Sequence, residues 1–75
     1  MPDLTDEQRR ALRILARSPN GCTEALMLAY HFTIDMLTEL SIDGFLSVHQ
    51  ERVVGRSEMV VRMKITAAGR REIAV

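Results

Sequence analysis

The sequence predicts one α+β domain over residues 1–75, with a three-helix core, a β-hairpin and a short C-terminal helix. Apolar residues recur at helical spacing in the first half of the chain, which Pro19 and Gly21 interrupt. Met59–Ile65 instead alternates largely between apolar and polar residues, which is typical of a strand. A chain of 75 residues is long enough for one small core.

The first helix is predicted to begin at Thr5. Thr5 and Gln8 match the capping box, in which each side chain accepts a backbone N–H of the other residue. Its apolar side is formed by Leu4, Ala11, Leu12 and Leu15, with Ile14 at the margin. Its opposite side carries Arg9, Arg10, Arg13 and Arg17. That row is either a phosphate-contacting surface or an ordinary solvated helix face.

The second helix follows a strong break at residues 18–21, because proline cannot continue a helix and Asn-Gly is a turn pair. Thr23 is expected to cap it, since a threonine hydroxyl accepts a free backbone N–H of the first turn. We expect the buried side of this helix to consist of Ala25, Leu26, Leu28 and Ala29.

The third helix follows a tight turn at residues 30–32, in which Phe32 is expected to point into the core. Thr33 caps this helix, and Gly44 ends it in the left-handed conformation that favours glycine. The residues that share its buried face are Ile34, Leu37, Leu40 and Ser41.

A β-hairpin comes next. Its first strand is expected to run from Phe45 to Val53, and its tip to lie at residues 55–57. In the second strand, at residues 59–65, the residues expected to face the core are Met59, Val61, Met63 and Ile65. Arg62 and Lys64 are expected to face solvent.

A short last helix is predicted after its cap, Thr66. Gly69 is expected to weaken this helix, and Ile73 and Val75 to help close the core. A helix-turn-helix followed by a hairpin predicts a winged helix-turn-helix.

Charge is distributed unevenly along a chain whose net charge is zero. Residues 1–17 carry a net charge of +1, residues 18–51 carry −5, and residues 52–75 carry +4. The helix-turn-helix contains no Lys or Arg, so an acidic middle lies between two basic flanks.

Several classes of function are disfavoured. No apolar run approaches the roughly 20 residues of a membrane span, and no signal peptide is visible, so we expect a cytoplasmic protein. The single cysteine, Cys22, allows no internal disulfide and is expected to be buried. His31 and His49 have no catalytic or metal-binding companions, so we expect no enzyme, no metal site and no cofactor.

Three motifs carry a resemblance to a known family. Leu4-Thr5 with Gln8 resembles the start of the DNA-binding domain of MarR-type transcriptional regulators. The pattern from Leu37 and Leu40 to Gly44-Phe45-Leu46 is similar to the end of their recognition helix. Residues 65–70, Ile-Thr-x-x-Gly-Arg, are similar to the element that joins their second wing strand to the next helix. The resemblance implies a winged-helix transcriptional regulator that binds double-stranded DNA as a dimer.

On this interpretation two sets of residues contact DNA. The third helix would read bases through Thr33, Asp35, Met36, Thr38 and Glu39. The hairpin and the last helix would contact phosphates through Arg52, Arg56, Arg62, Lys64, Arg70 and Arg71.

The acidic third helix leaves a second function open. Carboxylates beside phosphates are repelled, so the chain is alternatively a protein-interaction module that binds no DNA and uses this acidic face. A homodimer is also open, in which the basic wing of one copy contacts the acidic helix of another.

Overall fold

The computed structural model describes residues 4–52, 54–55 and 59–74 of the chain. These residues form four helices and a three-stranded antiparallel sheet. The predicted order of elements is confirmed, with the addition of one short strand. Along the chain the elements are α1 (Asp6–Ala16), β1 (Cys22–Thr23), α2 (Glu24–Ala29), α3 (Ile34–Ile42), β2 (Leu46–Arg52), β3 (Met59–Ile65) and α4 (Ala67–Ile73).

A threonine side chain caps the start of each of these helices, as predicted. In α1 the hydroxyl of Thr5 accepts the N–H of Gln8 at 3.1 Å, and the Gln8 side chain accepts the N–H of Thr5 at 2.9 Å. The remaining caps are Thr23, Thr33 and Thr66. Each satisfies a backbone donor that the first turn leaves free, which is worth about 1 kcal/mol.

The end of α3 is set by Gly44, as predicted, with a φ of 82°. The N–H of Gly44 donates to the carbonyl of Ser41 at 3.0 Å, and the N–H of Phe45 donates to that of Leu40 at 2.9 Å. These two bonds are the Schellman motif, which a left-handed residue completes. The motif turns the chain from α3 directly into β2.

Gly69 has a different role from the one expected. It is buried in α4, and a Cβ atom at this position would overlap the carbonyl oxygen of Phe45 and crowd the side chain of Ile65. The expectation that glycine simply weakens this helix considers propensity alone. In the structure, its missing side chain lets α4 pack directly on the backbone at the start of β2.

The sheet has the strand order β1-β3-β2, with both pairings antiparallel. In the hairpin, Leu46 pairs with Ile65 and Arg52 pairs with Met59. β3 has the predicted bounds, whereas β2 begins one residue later than predicted. Val53, the predicted end of β2, lies outside the described residues, as do residues 56–57 of the predicted hairpin tip.

β1 was not predicted from the sequence. It pairs Cys22 with Met63 and Thr23 with Arg62. Two residues are too few to show any periodicity, so this pairing is visible only in the folded chain. β1 fixes the start of α2 against the sheet, because Thr23 is both a strand residue and the cap of α2.

The core forms around the apolar side of α1, as predicted. Ala11, Leu12 and Leu15 have no exposed surface. The other buried apolar residues are Cys22, Met27, Phe32, Leu37, Leu40, Leu46 and Met63. Leu4, Ile14, Met36, Phe45, Ile65 and Ile73 are partly buried against them. Val75 lies outside the described residues.

The predicted buried side of α2 is wrong. Met27 is the residue of this helix that enters the core, whereas Leu26 is 44% exposed and Leu28 is 38% exposed; Ala25 and Ala29 are exposed as well. A helix of six residues makes fewer than two turns and reaches the core at one position. Because residues 25–29 of α2 are all apolar, spacing alone does not identify that position.

Two further residues are more exposed than predicted. Ile34 is 52% exposed, because it lies in the first turn of α3, one turn before Leu37 reaches the core. Met59, expected to face the core, is 50% exposed, whereas Met63 on the same strand is buried. The far end of the hairpin therefore extends beyond the helices that cover the sheet.

Candidate interaction surface

The exposed ridge of α3 carries no basic group. At about 100° per residue, Leu37 and Leu40 point into the core and leave Asp35, Thr38, Glu39 and Ile42 on the opposite side. Ile42 is 78% exposed. The ridge therefore presents two carboxylates, a hydroxyl and an aliphatic side chain.

The five residues predicted to read bases fall into two groups, those that stabilise α3 and those that are exposed to a partner. The hydroxyl of Thr33 accepts the N–H of Met36 at 3.2 Å as the helix cap, and the Met36 side chain packs partly buried against the core. These two side chains serve the fold of α3. Asp35, Thr38 and Glu39 are exposed and free to meet a partner.

A groove lies between α3 and the β2–β3 hairpin, with a volume of about 180 Å³. Its walls are largely apolar, and they include Val48 and Met63 from the hairpin. Glu24, the first residue of α2, lines the groove as well. From α3 the groove is lined by Ile34, Leu37, Thr38 and Ser41. Sequence reasoning missed Glu24 and Val48, because only the folded chain brings the start of α2 and the hairpin together with α3.

The strand register shows which basic residues share a face with this groove. Residues directly opposite each other in an antiparallel ladder lie on the same face of the sheet. Arg52 pairs with Met59, and each lies four positions along its strand from Val48 or Met63, so Arg52 lies on the groove side at the far end of the hairpin. Arg62 and Lys64 alternate with those residues and lie on the outer face.

Arg62 is held on the outer face by two contacts. Its Nε lies 3.1 Å from Oε2 of Glu51, and its Nη1 donates to the carbonyl of Asn20 at 3.3 Å. Lys64 lies beside them and is half-buried. The prediction that Arg62 and Lys64 face away from the core is confirmed, but the same geometry turns them away from α3.

Two of the α1 arginines stabilise the fold. Arg10 donates to the carbonyl of Tyr30 at 3.3 Å, and its guanidinium carbon lies 4.7 Å from the ring centroid of Phe32. Arg9 donates to the carbonyl of Glu72 at 3.1 Å, which joins α1 to α4. The arginine row is thus neither a uniform phosphate surface nor a uniformly solvated face. Arg13 in α1 and Arg17 at its C-terminal cap are exposed.

The predicted phosphate-contacting residues do not lie on one element. Arg52 is on the groove face of the hairpin, Arg62 and Lys64 are on its outer face, and Arg70 and Arg71 are exposed on α4. The sixth residue, Arg56, lies outside the described residues.

The surface formed by α2 and α3 is acidic. Its acids are Glu24, Asp35, Glu39 and Asp43. Within the described part of the chain, the ion pairs join Glu7 to Arg10 and Glu51 to Arg62, and none involves these four acids. Their charge is therefore available to an external partner.

Other reactive groups lie apart from this surface. The thiol of Cys22 is buried, as predicted, and lies 3.3 Å from the hydroxyl of Ser18. His31 and His49 are exposed on different elements. The described residues contain no cluster of three or more potential metal ligands and no helix of the length and apolarity that a membrane span requires.

Comparisons of the chain with protein-family models, curated proteins and solved structures found no significant match. The function of the α3 surface is therefore inferred from its own residues.

Proposed function

We propose that this chain is a winged-helix domain that binds a protein partner, and not DNA, in the groove between α3 and the hairpin. The observation that carries the proposal is the chemistry of this groove. Its walls are largely apolar, and Glu24 of α2 is the acid that lines it. Asp35 of α3 is exposed next to the lining residue Ile34, and neither helix supplies a basic side chain.

The winged-helix assignment is supported by the order and spacing of the elements. α2 and α3 are separated by the short turn at residues 30–33, and the hairpin follows α3 through a Schellman motif.

Electrostatic repulsion disfavours DNA as that ligand. A carboxylate about 7 Å from a phosphate is opposed by roughly 0.6 kcal/mol in water. Asp35, Glu39 and Asp43 are exposed on α3 or at its end. Together they oppose a duplex by about 2 kcal/mol, and by more where water is displaced, because the interaction strengthens at lower dielectric.

The same features favour a partner segment that is both apolar and basic. Aliphatic side chains would bury Ile34 and Val48, both of which are about half exposed. Lys or Arg side chains of the segment would pair with Asp35 or Glu24. Such complementarity mainly improves specificity and the rate of association, and apolar burial supplies affinity.

Selection from a random peptide library on the immobilised chain tests this proposal. We expect the selected peptides to combine aliphatic residues with Lys or Arg. On titration, the amide signals of Ile34, Thr38 and Val48 should shift in NMR spectra. Replacing Asp35 by Asn and Glu24 by Gln should weaken binding about tenfold, as expected when charge pairs are lost.

A matched control uses an acid on another element. Asp6 is exposed in the first turn of α1, and Asp6→Asn should leave peptide affinity unchanged. Selected peptides without basic residues, or shifts confined to the outer face of the hairpin, would contradict the proposal.

DNA binding is the second candidate, and the position of Arg52 favours it. This residue is exposed on the groove side of the hairpin, where it could reach a phosphate beside α3. Arg70 and Arg71 on α4 are exposed as further donors. If DNA is the ligand, Arg52→Ala should weaken binding to all duplexes alike and reduce its salt dependence, whereas Arg62→Ala should have a smaller effect.

A further inference from the structure

One edge of the sheet is left open next to the apolar side of α2. β1 covers the edge of β3 at Arg62 and Met63 and then ends, so Met59–Val61 has no strand partner on that side among the described residues. A cleft of about 240 Å³ separates this edge from the first turn of α2. The cleft is lined by Thr23, Glu24, Ala25, Met59, Val60 and Val61.

The two free edges of the sheet differ in chemistry. β2 forms the other edge and carries His49, Glu51 and Arg52, and charged residues on an edge strand discourage pairing with another chain. The open part of β3 is Met-Val-Val, with no charge and strong β propensity. Unprotected edges of this kind pair with other strands.

The adjoining face of α2 is also apolar and exposed. Leu28 and Ala29 lie three and four residues after Ala25, and these spacings place all three on one side of the helix. All three are exposed. We define the α2–β3 surface as Ala25, Leu28 and Ala29 together with Met59–Val61.

We propose that the α2–β3 surface binds a second copy of this chain, through antiparallel pairing of the two β3 edges around Val60. Such pairing sets Met59 of one copy opposite Val61 of the other, and apolar cross-strand pairs of this kind stabilise a sheet. Among the described residues three are open in each copy, and β1 prevents the pairing from extending past Val61. The result is a twofold-symmetric dimer with a continuous sheet.

The charge of the surface favours a second copy as the occupant. The six residues that define it are uncharged, so two identical surfaces meet without repulsion. Glu24 lies beside the Val61 end of the pairing, and the twofold axis places the two Glu24 side chains at opposite ends. The net charge of the chain is zero, so two copies do not repel each other through their overall charge.

The strength of the dimer follows from its size. Stable interfaces bury about 800 Å² on each partner, which exceeds what one six-residue helix and three strand residues supply. The dimer is therefore weak, with a dissociation constant of about 1–100 μM. The six residues that define the α2–β3 surface do not line the α3 groove, so this proposal does not depend on the proposed function.

Sedimentation velocity of the full chain over a range of concentrations tests this proposal. Met59→Lys and Leu28→Lys should each raise the dissociation constant about tenfold or more, since they place a charge in the interface. Gln50→Lys adds the same charge to an exposed position of β2 and should change the dissociation constant less than about twofold. Circular dichroism should show that all three variants are folded.

The wild-type chain provides a second measurement that does not depend on variants. In a mixture of isotope-labelled and unlabelled chains, NMR should detect contacts between the Met59 methyl group of one copy and the Val61 methyl groups of another. A chain that stays monomeric at about 1 mM overturns the proposal. A dimer whose intermolecular contacts lie elsewhere also overturns it.

Discussion

Replacing Gly69 by Ala tests the packing of α4 because two effects of known size oppose each other. Helix propensity alone favours alanine over glycine by up to about 1 kcal/mol. In the structure, however, the added Cβ would overlap the carbonyl oxygen of Phe45, and this oxygen accepts the N–H of Thr66 at 3.1 Å. The overlap is with backbone, which cannot rotate away as a side chain could.

The cost of that overlap exceeds the gain in propensity. Overpacking a well-filled site costs about 1–3 kcal/mol, and a displaced carbonyl would also weaken the hydrogen bond from Thr66, worth about 1 kcal/mol. We therefore expect Gly69→Ala to destabilise the chain by about 1–3 kcal/mol. For a domain of this size, each kcal/mol lowers Tm by about 4–8 °C.

Urea unfolding followed by circular dichroism measures this change. The matched control is Ala67→Gly, an exposed position on the same helix, which should cost no more than about 1 kcal/mol. A Gly69→Ala variant that is as stable as the wild type, or more stable, would refute the close packing of α4 on Phe45.

Three further changes should alter stability in the same assay. His31 has a φ of 71° in the turn before α3, so His31→Gly should stabilise the chain by about 1 kcal/mol, and an unchanged or lower stability would contradict this backbone geometry. Arg10→Gln should cost about 1 kcal/mol because it removes the contacts with Tyr30 and Phe32. The control, Arg13→Gln at an exposed position, should change stability by less than about 0.5 kcal/mol. Equal effects of the two variants would argue against a stabilising role for the Arg10 contacts. The Thr66 hydroxyl donates to the carbonyl of Gly44 at 2.6 Å and accepts the N–H of Gly69, so Thr66→Val should cost about 1–2 kcal/mol, and a neutral result would count against this cap.

The features that the sequence predicts correctly depend on signals within a few residues. The capping box of Thr5 and Gln8 spans four positions, and the Schellman motif at Gly44 closes within six. The bounds of β3 are predicted correctly because apolar and polar residues largely alternate along its seven residues. In each case the physical cause and the sequence pattern occupy the same short segment.

The features that were missed depend on contacts between distant segments. β1 exists because Cys22 and Thr23 pair with β3, some forty residues further along the chain. Met27 enters the core because β1 fixes the start of α2, and the requirement for Gly69 arises from the backbone of Phe45. None of these partners can be inferred from the local composition of either segment.

In the candidate site, too, local patterns predict which side chains are exposed, whereas contacts between distant segments decide which of them lie together. Helical spacing predicts that Asp35, Thr38 and Glu39 are exposed, and they are. Strand alternation predicts that Arg62 and Lys64 face outwards, but only the register with β2 shows that this face lies away from α3. Glu24 joins the groove because α2 begins beside it, which no spacing in the sequence indicates.

Fluorescence anisotropy with a mixed-sequence DNA duplex at about 50 mM salt tests the choice between protein and DNA most directly. The wild-type chain should be compared with a variant in which Asp35, Glu39 and Asp43 are replaced by their amides. If α3 repels DNA, the wild type should not bind below tens of micromolar, and the neutralised variant should bind about tenfold more tightly or better. Tight wild-type binding that is lost on neutralisation would contradict the account, because the acids would then be reading the DNA.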